Sequence, residues 1–227
     1  MLHDRRSGEE PGLIPDSPPA VAAAVATAPR PDPRRRLLDA MIETVALRGY
    51  DRTTVSRVLS SAEVAEAVFS EHFHDKHDCF LQAADHLIGH AEHSALVQFE
   101  QPIPWADRVR LAIESLLRAL AAHTDDARVV LVEMLGAGPS SCERQRSALA
   151  LFASLLEEGR SYCPHTEHLP PQTSEAIVGG IASIVHRRVL QGDTAKLPAL
   201  QGDLTYFALL PYLDHERALA VAGLDDS

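Results

Sequence analysis

The sequence predicts an all-α protein, and three observations support this fold class. Apolar residues recur at helical spacing in successive segments, and glycines and prolines lie between those segments. No segment alternates apolar and polar residues as a half-buried strand does. The chain has 227 residues, of which 45% are apolar, so it is long enough to bury a sizeable core.

The segment from residue 33 to residue 80 predicts three helices in close succession. The first has one apolar face, formed by Leu37, Leu38, Met41, Ile42, Val45 and Ala46. Gly49 is placed to end it in a left-handed conformation, and Thr53 or Thr54 offers a hydroxyl N-cap for a second helix over about 55–61. A third follows over about 65–72. Two short helices braced by a longer one indicate a helix-turn-helix, a motif whose second short helix enters the DNA major groove.

The same segment resembles the TetR family of transcriptional regulators. The resemblance rests on five groups of residues: Arg48-Gly49-Tyr50, Thr53-Thr54-Val55, Ala62-Glu63-Val64-Ala65, His72-Phe73, and Lys76 with Phe80. It implies a DNA-binding head at 33–80 and a helical ligand-binding and dimerisation domain at 81–227. It further implies a homodimer that binds a double-stranded DNA operator and a small-molecule effector.

The resemblance and the helix-turn-helix together predict which residues face DNA. They are Thr54, Arg57, Ala65, Glu66, Ala67, Ser70, His72 and Lys76. Lys76 is the expected phosphate contact, because the N-terminus of a helix adds its own positive dipole.

Three residues of the head depart from the family pattern, which has glycine, serine and tyrosine where this chain has Glu63, Ala65 and Ser70. The recognition helix also has Glu66 and Glu71 but no Lys or Arg, and anions beside phosphates weaken DNA binding. Two hypotheses therefore stay open. The first is a ligand-responsive, DNA-binding transcriptional regulator of TetR type, which we expect to be a repressor. The second is an interaction or ligand-binding protein of the same fold whose head no longer binds DNA.

Further helical patterns follow the head. They lie at about 76–100, 105–123, 127–135, 141–158, 172–191 and 197–213. Before the head, residues 1–32 are rich in Pro, Ala and charge and predict a disordered arm. Its basic residues Arg5, Arg6 and Arg30 either add contacts to DNA or belong to a solvated tail.

Apolar stripes on the central helices predict either an effector pocket or plain core. The candidate pocket residues are His86, His90, Phe99, Trp105, Ile113, Leu117, Met134 and Phe152. His86, His90 and His93 share one helix face, so they are solvated, line this pocket, or bind zinc, nickel or copper. The weak signal favours solvated histidines, and we expect neither a metal nor a cofactor.

The last two helical patterns predict the dimer interface. Its candidate residues are Ile177, Ile181, Ile184, Leu204 and Phe207. Two such helices can meet their symmetry mates as a four-helix bundle. The alternative is that both stripes belong to the core of one subunit.

Composition narrows the classes of function. The net charge of −11 disfavours a general polyanion binder but allows a local DNA-binding patch. Three cysteines without a C-x-x-C spacing suit a reducing cytoplasm. No apolar run is long enough to span a membrane, and no catalytic motif is present, so we expect a cytoplasmic protein that is not an enzyme.

Overall fold

The computed structural model describes residues 32–163 and 166–224, and within them every regular element is helical. This confirms the all-α fold class. The head consists of α1 Pro33–Arg48, α2 Val55–Ala62 and α3 Glu66–His72. The predicted N-terminal arm, including Arg5, Arg6 and Arg30, lies outside the described residues.

The first turn of the head differs from its prediction in how the chain is capped. Gly49 ends α1 with φ 83° and ψ 156°, so its φ is positive but its backbone is not in the left-handed helical region. Thr54 is the N-cap residue of α2 but makes no side-chain capping hydrogen bond. The Thr53 hydroxyl instead donates to the Gly49 carbonyl, 2.9 Å away, and so holds the turn closed.

The second turn of the head places Glu63 where a glycine is expected. Glu63 follows α2 with φ 52° and ψ 47°, which is the left-handed conformation. Side chains with a Cβ adopt it at a cost, because the Cβ approaches the following carbonyl oxygen. The recognition helix then begins at Glu66, one residue later than predicted, with Ala65 as its N-cap residue.

The chain beyond the head folds into helices of very different lengths. They are α4 Lys76–Phe99, α5 Trp105–Ala122, α6 Thr124–Arg128, α7 Met134–Gly136, α8 Pro139–Glu157, α9 Gly159–Tyr162, α10 Thr173–Leu190, α11 Gln201–Leu209 and α12 His215–Ala222. A π-helical turn, Val129–Glu133, connects α6 to α7, and we call it the π turn. Short 3₁₀ turns lie at Thr166–His168 and Thr194–Leu200.

Two of the later helical predictions need correction. The helix expected over about 127–135 begins earlier, at Thr124, and contains the π turn. The helix expected over about 197–213 is divided, because Pro198 lacks a backbone N–H and lies within a 3₁₀ turn that precedes α11. The sequence prediction also missed α12, where the Asp214 side chain caps the helix by accepting the Arg217 N–H at 2.8 Å.

The head and the helices after it share one hydrophobic core. Leu37, Met41 and Phe80 from α1 and α4 are fully buried, and they belong to the same cluster as Met134 and Ala148. This shared core fixes the position of α1 relative to α7 and α8. Among the described residues, no helix is both long and apolar enough to cross a membrane.

Candidate nucleic-acid interface and effector cavity

The outer face of the recognition helix α3 is exposed to solvent. Glu66, Ala67 and Ser70 are exposed, and so is Ala65 just before the helix. The inner face is held by Phe69, which is buried and lies 5.3 Å from the Phe73 ring, centroid to centroid. The four predicted DNA-facing residues Ala65, Glu66, Ala67 and Ser70 are therefore all accessible from solvent.

The remaining predicted DNA-facing residues differ in how freely they can move. Thr54 and Arg57 on α2 are exposed, whereas His72 is half-buried against Phe73. Lys76, the first residue of α4, is already engaged: its Nζ donates to the Tyr50 carbonyl at 3.0 Å and lies 4.0 Å from the centre of the Tyr50 ring. An ammonium has three donors, so one such contact orients Lys76 and leaves donors for a phosphate.

Most other cations near the start of the head are also tied to protein groups. Arg34 donates to the Gln82 side chain, Arg35 pairs with Asp39 at 2.9 Å, and Arg36 donates to the backbone carbonyls of Ala62 and Glu63. Arg57 is exposed and makes no side-chain hydrogen bond or ion pair with any described residue. Arg57 is therefore free to contact a phosphate, as Lys76 is with the donors that Tyr50 leaves unused.

An apolar cavity of about 400 Å³ lies among α4, α5, the π turn, α8 and α10. Three predicted pocket residues, Phe99, Ile113 and Phe152, line it. Its wall is almost entirely aliphatic or aromatic, and its polar side chains are those of Gln145, Ser183 and His186. The cavity can accept an apolar molecule and offers it few hydrogen-bonding partners.

The other predicted pocket residues lie elsewhere, because they fill the core. Trp105 is buried against Tyr212, with ring centroids 5.2 Å apart, and its indole N–H donates to the Leu155 carbonyl at 3.3 Å. Leu117 and Met134 are fully buried in separate core clusters. None of these three residues lines the cavity. Helical spacing could not separate cavity wall from core, because both are apolar.

Two of the three candidate histidines lie beside a second cleft, which is bounded by α1, α4, α5 and α6, whereas His93 is exposed and does not line it. His86 and His90 line this cleft, and their rings are 4.2 Å apart, centroid to centroid. Burial lowers the pKa of His86, and the Arg35 guanidinium, which is hydrogen-bonded to the ring, lowers it further. In the part of the chain that the structure describes, no three His, Cys, Asp or Glu side chains are placed to hold a metal ion. The expectation of no metal at His86, His90 and His93 stays a prediction.

Glu133, at the end of the π turn, is a half-buried acidic residue whose contacts the sequence prediction missed. Its side chain is 13% exposed, and its Oε1 lies 3.2 Å from the Arg128 guanidinium. Its Oε2 accepts the Tyr50 backbone N–H at 2.9 Å, directly after the end of α1. The available signal was a single acidic residue inside the apolar run from Val129 to Leu135.

The predicted dimer residues divide between the core and the surface. Ile177 and Leu204 are buried within one subunit, and Ile181 and Ile184 are half-buried against the same clusters. Phe207 is 45% exposed. Its ring lies beside Gly180 of α10, where an added Cβ would be 3.4 Å away, an ordinary van der Waals contact. Phe207 is thus the predicted interface residue that is available to a partner.

Comparison with known proteins agrees with this arrangement. The family model of bacterial regulatory proteins of the tetR family matches residues 37–83. This match confirms, over the head, the resemblance found in the sequence. A search of curated proteins found no match.

Solved structures show that the likeness in fold extends well beyond the head. The fatty acid degradation regulator FadR from Bacillus halodurans has a TM-score of 0.71 and 20% identity, covering 78% of this chain and 95% of its own. FadR from Bacillus subtilis, solved with stearoyl-CoA, has a TM-score of 0.70 and 18% identity, covering 78% and 98%. A TetR-like regulator from Rhodococcus sp. RHA1 has a TM-score of 0.60 and 19% identity, covering 81% and 98%.

Proposed function

We propose that this protein is a cytoplasmic, homodimeric transcriptional repressor of TetR type whose DNA affinity is set by an apolar effector. One observation supports this most directly: α4 belongs to both sites. Its first residue, Lys76, lies beside the proposed DNA face, and Ile88, Ala91 and Phe99 further along it line the cavity. A molecule that moves this helix changes the head, which is a coupling between two sites.

The cavity supports an effector that is largely apolar. Ligand pockets commonly measure about 300–1,000 Å³ and have apolar walls with a few placed polar groups. The cavity has this character, with Gln145, Ser183 and His186 as its polar side chains. The ligand named for the Bacillus subtilis FadR structure, stearoyl-CoA, also has a long apolar chain. Fatty acyl compounds are therefore the first effectors to test.

The proposed DNA contacts are of two kinds. Arg57 and Lys76 contact phosphates, which set affinity without reading sequence. The exposed residues of α3, including Ala67 and Ser70, reach base edges in the major groove. Because Glu66 and Glu71 lie on the same short helix, affinity depends strongly on the few free cations.

Selection of genomic fragments with the purified protein tests the DNA-binding part of the proposal. We expect one or a few fragments with two-fold related half-sites. Arg57→Ala should weaken binding to all fragments and reduce the salt dependence by about one unit, whereas Ser70→Ala should change which bases are preferred. If the natural protein selects no fragment at about 100 mM salt, where phosphate contacts still act, the head is degenerate and the repressor proposal is wrong.

Filling the cavity tests the effector part independently of DNA. N-phenyl-1-naphthylamine is an uncharged fluorophore that brightens in apolar surroundings, and stearoyl-CoA should displace it. Ala182→Phe places a ring in the cavity wall and should abolish probe binding. Ala220→Phe, at an exposed position of α12, is the matched control and should leave probe binding unchanged. Equal probe binding by both variants would show that the probe does not enter this cavity.

A further inference from the structure

The π turn has one side on the apolar cavity and the other side on the head. Val130 and Leu131 line the cavity. Val129, in the same turn, and Met134, just after it, are fully buried in the core that α1 and α4 share. π-helical turns occur frequently at functional sites. This one connects the wall of the apolar cavity to the hydrophobic core on which the head packs.

Glu133 extends this connection to the backbone of the head. Its carboxylate accepts the Tyr50 N–H at 2.9 Å and is held from the other side by Arg128 at 3.2 Å. A hydrogen bond from a backbone N–H to an ionised carboxylate is stronger than a neutral one. A Cβ added at Gly49 would lie 3.3 Å from the same carboxylate, so the end of α1 packs directly on Glu133.

Tyr50 connects this carboxylate to the proposed DNA face. Its backbone N–H binds Glu133, and its carbonyl oxygen accepts the Lys76 ammonium at 3.0 Å. The Tyr50 ring lies under the same ammonium, and its hydroxyl is 3.0 Å from His77 Nδ1. A single residue therefore separates Glu133 from a proposed phosphate contact.

We propose that the π turn transmits the state of the apolar cavity to the DNA-binding head through the Glu133 carboxylate and the Tyr50 amide. The inference rests on the proposed function, since it needs an effector in the cavity. A molecule that displaces Val130 or Leu131 also displaces Glu133, which changes the hydrogen bond to Tyr50 and the position of Lys76. Glu133 is thus a positioning residue, and transmission along α4 alone would not require it.

Hydrogen exchange at the Tyr50 amide measures this coupling directly, by mass spectrometry of peptides that span residues 47–54. The probe is N-phenyl-1-naphthylamine, whose fluorescence reports its own binding. In the natural protein, a saturating probe should change the exchange rate of this amide by about fivefold or more, the lower end of typical couplings. Glu133→Gln keeps an acceptor and should retain the response. Glu133→Ala should lose it while binding the probe with unchanged affinity.

Two further variants separate this pathway from general effects on the fold. Glu143→Ala removes an exposed carboxylate of α8 and should respond as the natural protein does. Leu131→Ala shortens a cavity contact but leaves Glu133 in place, so it should reduce the response even if Glu133→Ala fails to fold.

The results distinguish transmission through Glu133 from transmission by another route and from the absence of an effector cavity. A bound probe with unchanged exchange at Tyr50, or an equal response in the natural protein and Glu133→Ala, overturns the inference and leaves the proposed function standing. Loss of the response in Glu143→Ala overturns the inference in the same way. A probe that does not bind at all refutes the effector cavity itself, and the inference falls with it.

Discussion

Replacing Glu63 by glycine should stabilise the protein, although most substitutions do the opposite. Glu63 has φ 52°, and a left-handed conformation costs a residue with a Cβ about 1–2 kcal/mol. Glycine relieves this cost. The carbonyl oxygens of Ala62 and Glu63 still accept from Arg36 afterwards, because they belong to the backbone.

Two losses reduce the expected gain. The Glu63 carboxylate lies 3.9 Å from Arg36 with 76% of its side chain exposed, and such surface pairs contribute about 0–1 kcal/mol. Glycine also gives the unfolded chain more freedom, which costs about 0.5–1 kcal/mol. At the middle of these ranges the net change in the free energy of unfolding is a small gain, about 0.3 kcal/mol.

Urea denaturation followed by circular dichroism measures this difference. The slope of the free energy against urea should not change, so the midpoint should rise. Ala150→Gly is the control, because it places the same residue at an exposed position in the middle of α8 and should lose about 0.5–1 kcal/mol. If Glu63→Gly lowers the midpoint as Ala150→Gly does, the left-handed strain at Glu63 does not exist.

Other substitutions should separate packing, assembly and reactivity. Gly159→Ala places a Cβ in steric conflict with the Trp105 indole, so it should destabilise the protein by about 1–3 kcal/mol in urea denaturation. Gly89→Ala, which has open space around the added Cβ, should stabilise the protein slightly in the same assay. Phe207→Asp should give a folded monomer in sedimentation, because Phe207 is exposed on the proposed dimer surface. Ile177→Asp places a charge inside one subunit and should unfold the protein. A natural protein that is already monomeric would contradict the proposed dimer. Burial raises the pKa of the Cys79 thiol to about 12 and raises that of Cys163, so Ellman's reagent at pH 8 should modify only the half-buried Cys142 rapidly, and rapid reaction of a second thiol would contradict this burial.

The sequence predicted the long helices well because their apolar spacing is regular. The segments that became α4 and α5 were placed within about one residue at each end, since Pro102 and Pro104 mark the boundary between them. The predicted helix after Leu197 was wrong in extent because Pro198 lies near its start. Apolar periodicity shows which face of a helix is buried, but it does not show where that helix must end.

The candidate site was harder to predict from the sequence. Phe99, Ile113 and Phe152 line the cavity, but Trp105 and Met134 have the same apolar character and lie in the core. The choice depends on how the helices are oriented against one another, which no single helix encodes. The acceptor for the Tyr50 amide, 83 residues away in sequence, is invisible for the same reason.

The core shared by α1, α4, α7 and α8 limits how this protein can be recombined with its relatives. A chimera joined after residue 80 would keep Leu37 and Phe80 but replace Met134 and Ala148, the residues that pack against them. Such a hybrid would have mismatched volumes at its seam, and packed interiors tolerate this poorly. Exchange of DNA specificity should therefore be made by grafting the exposed residues of α3 onto the intact chain.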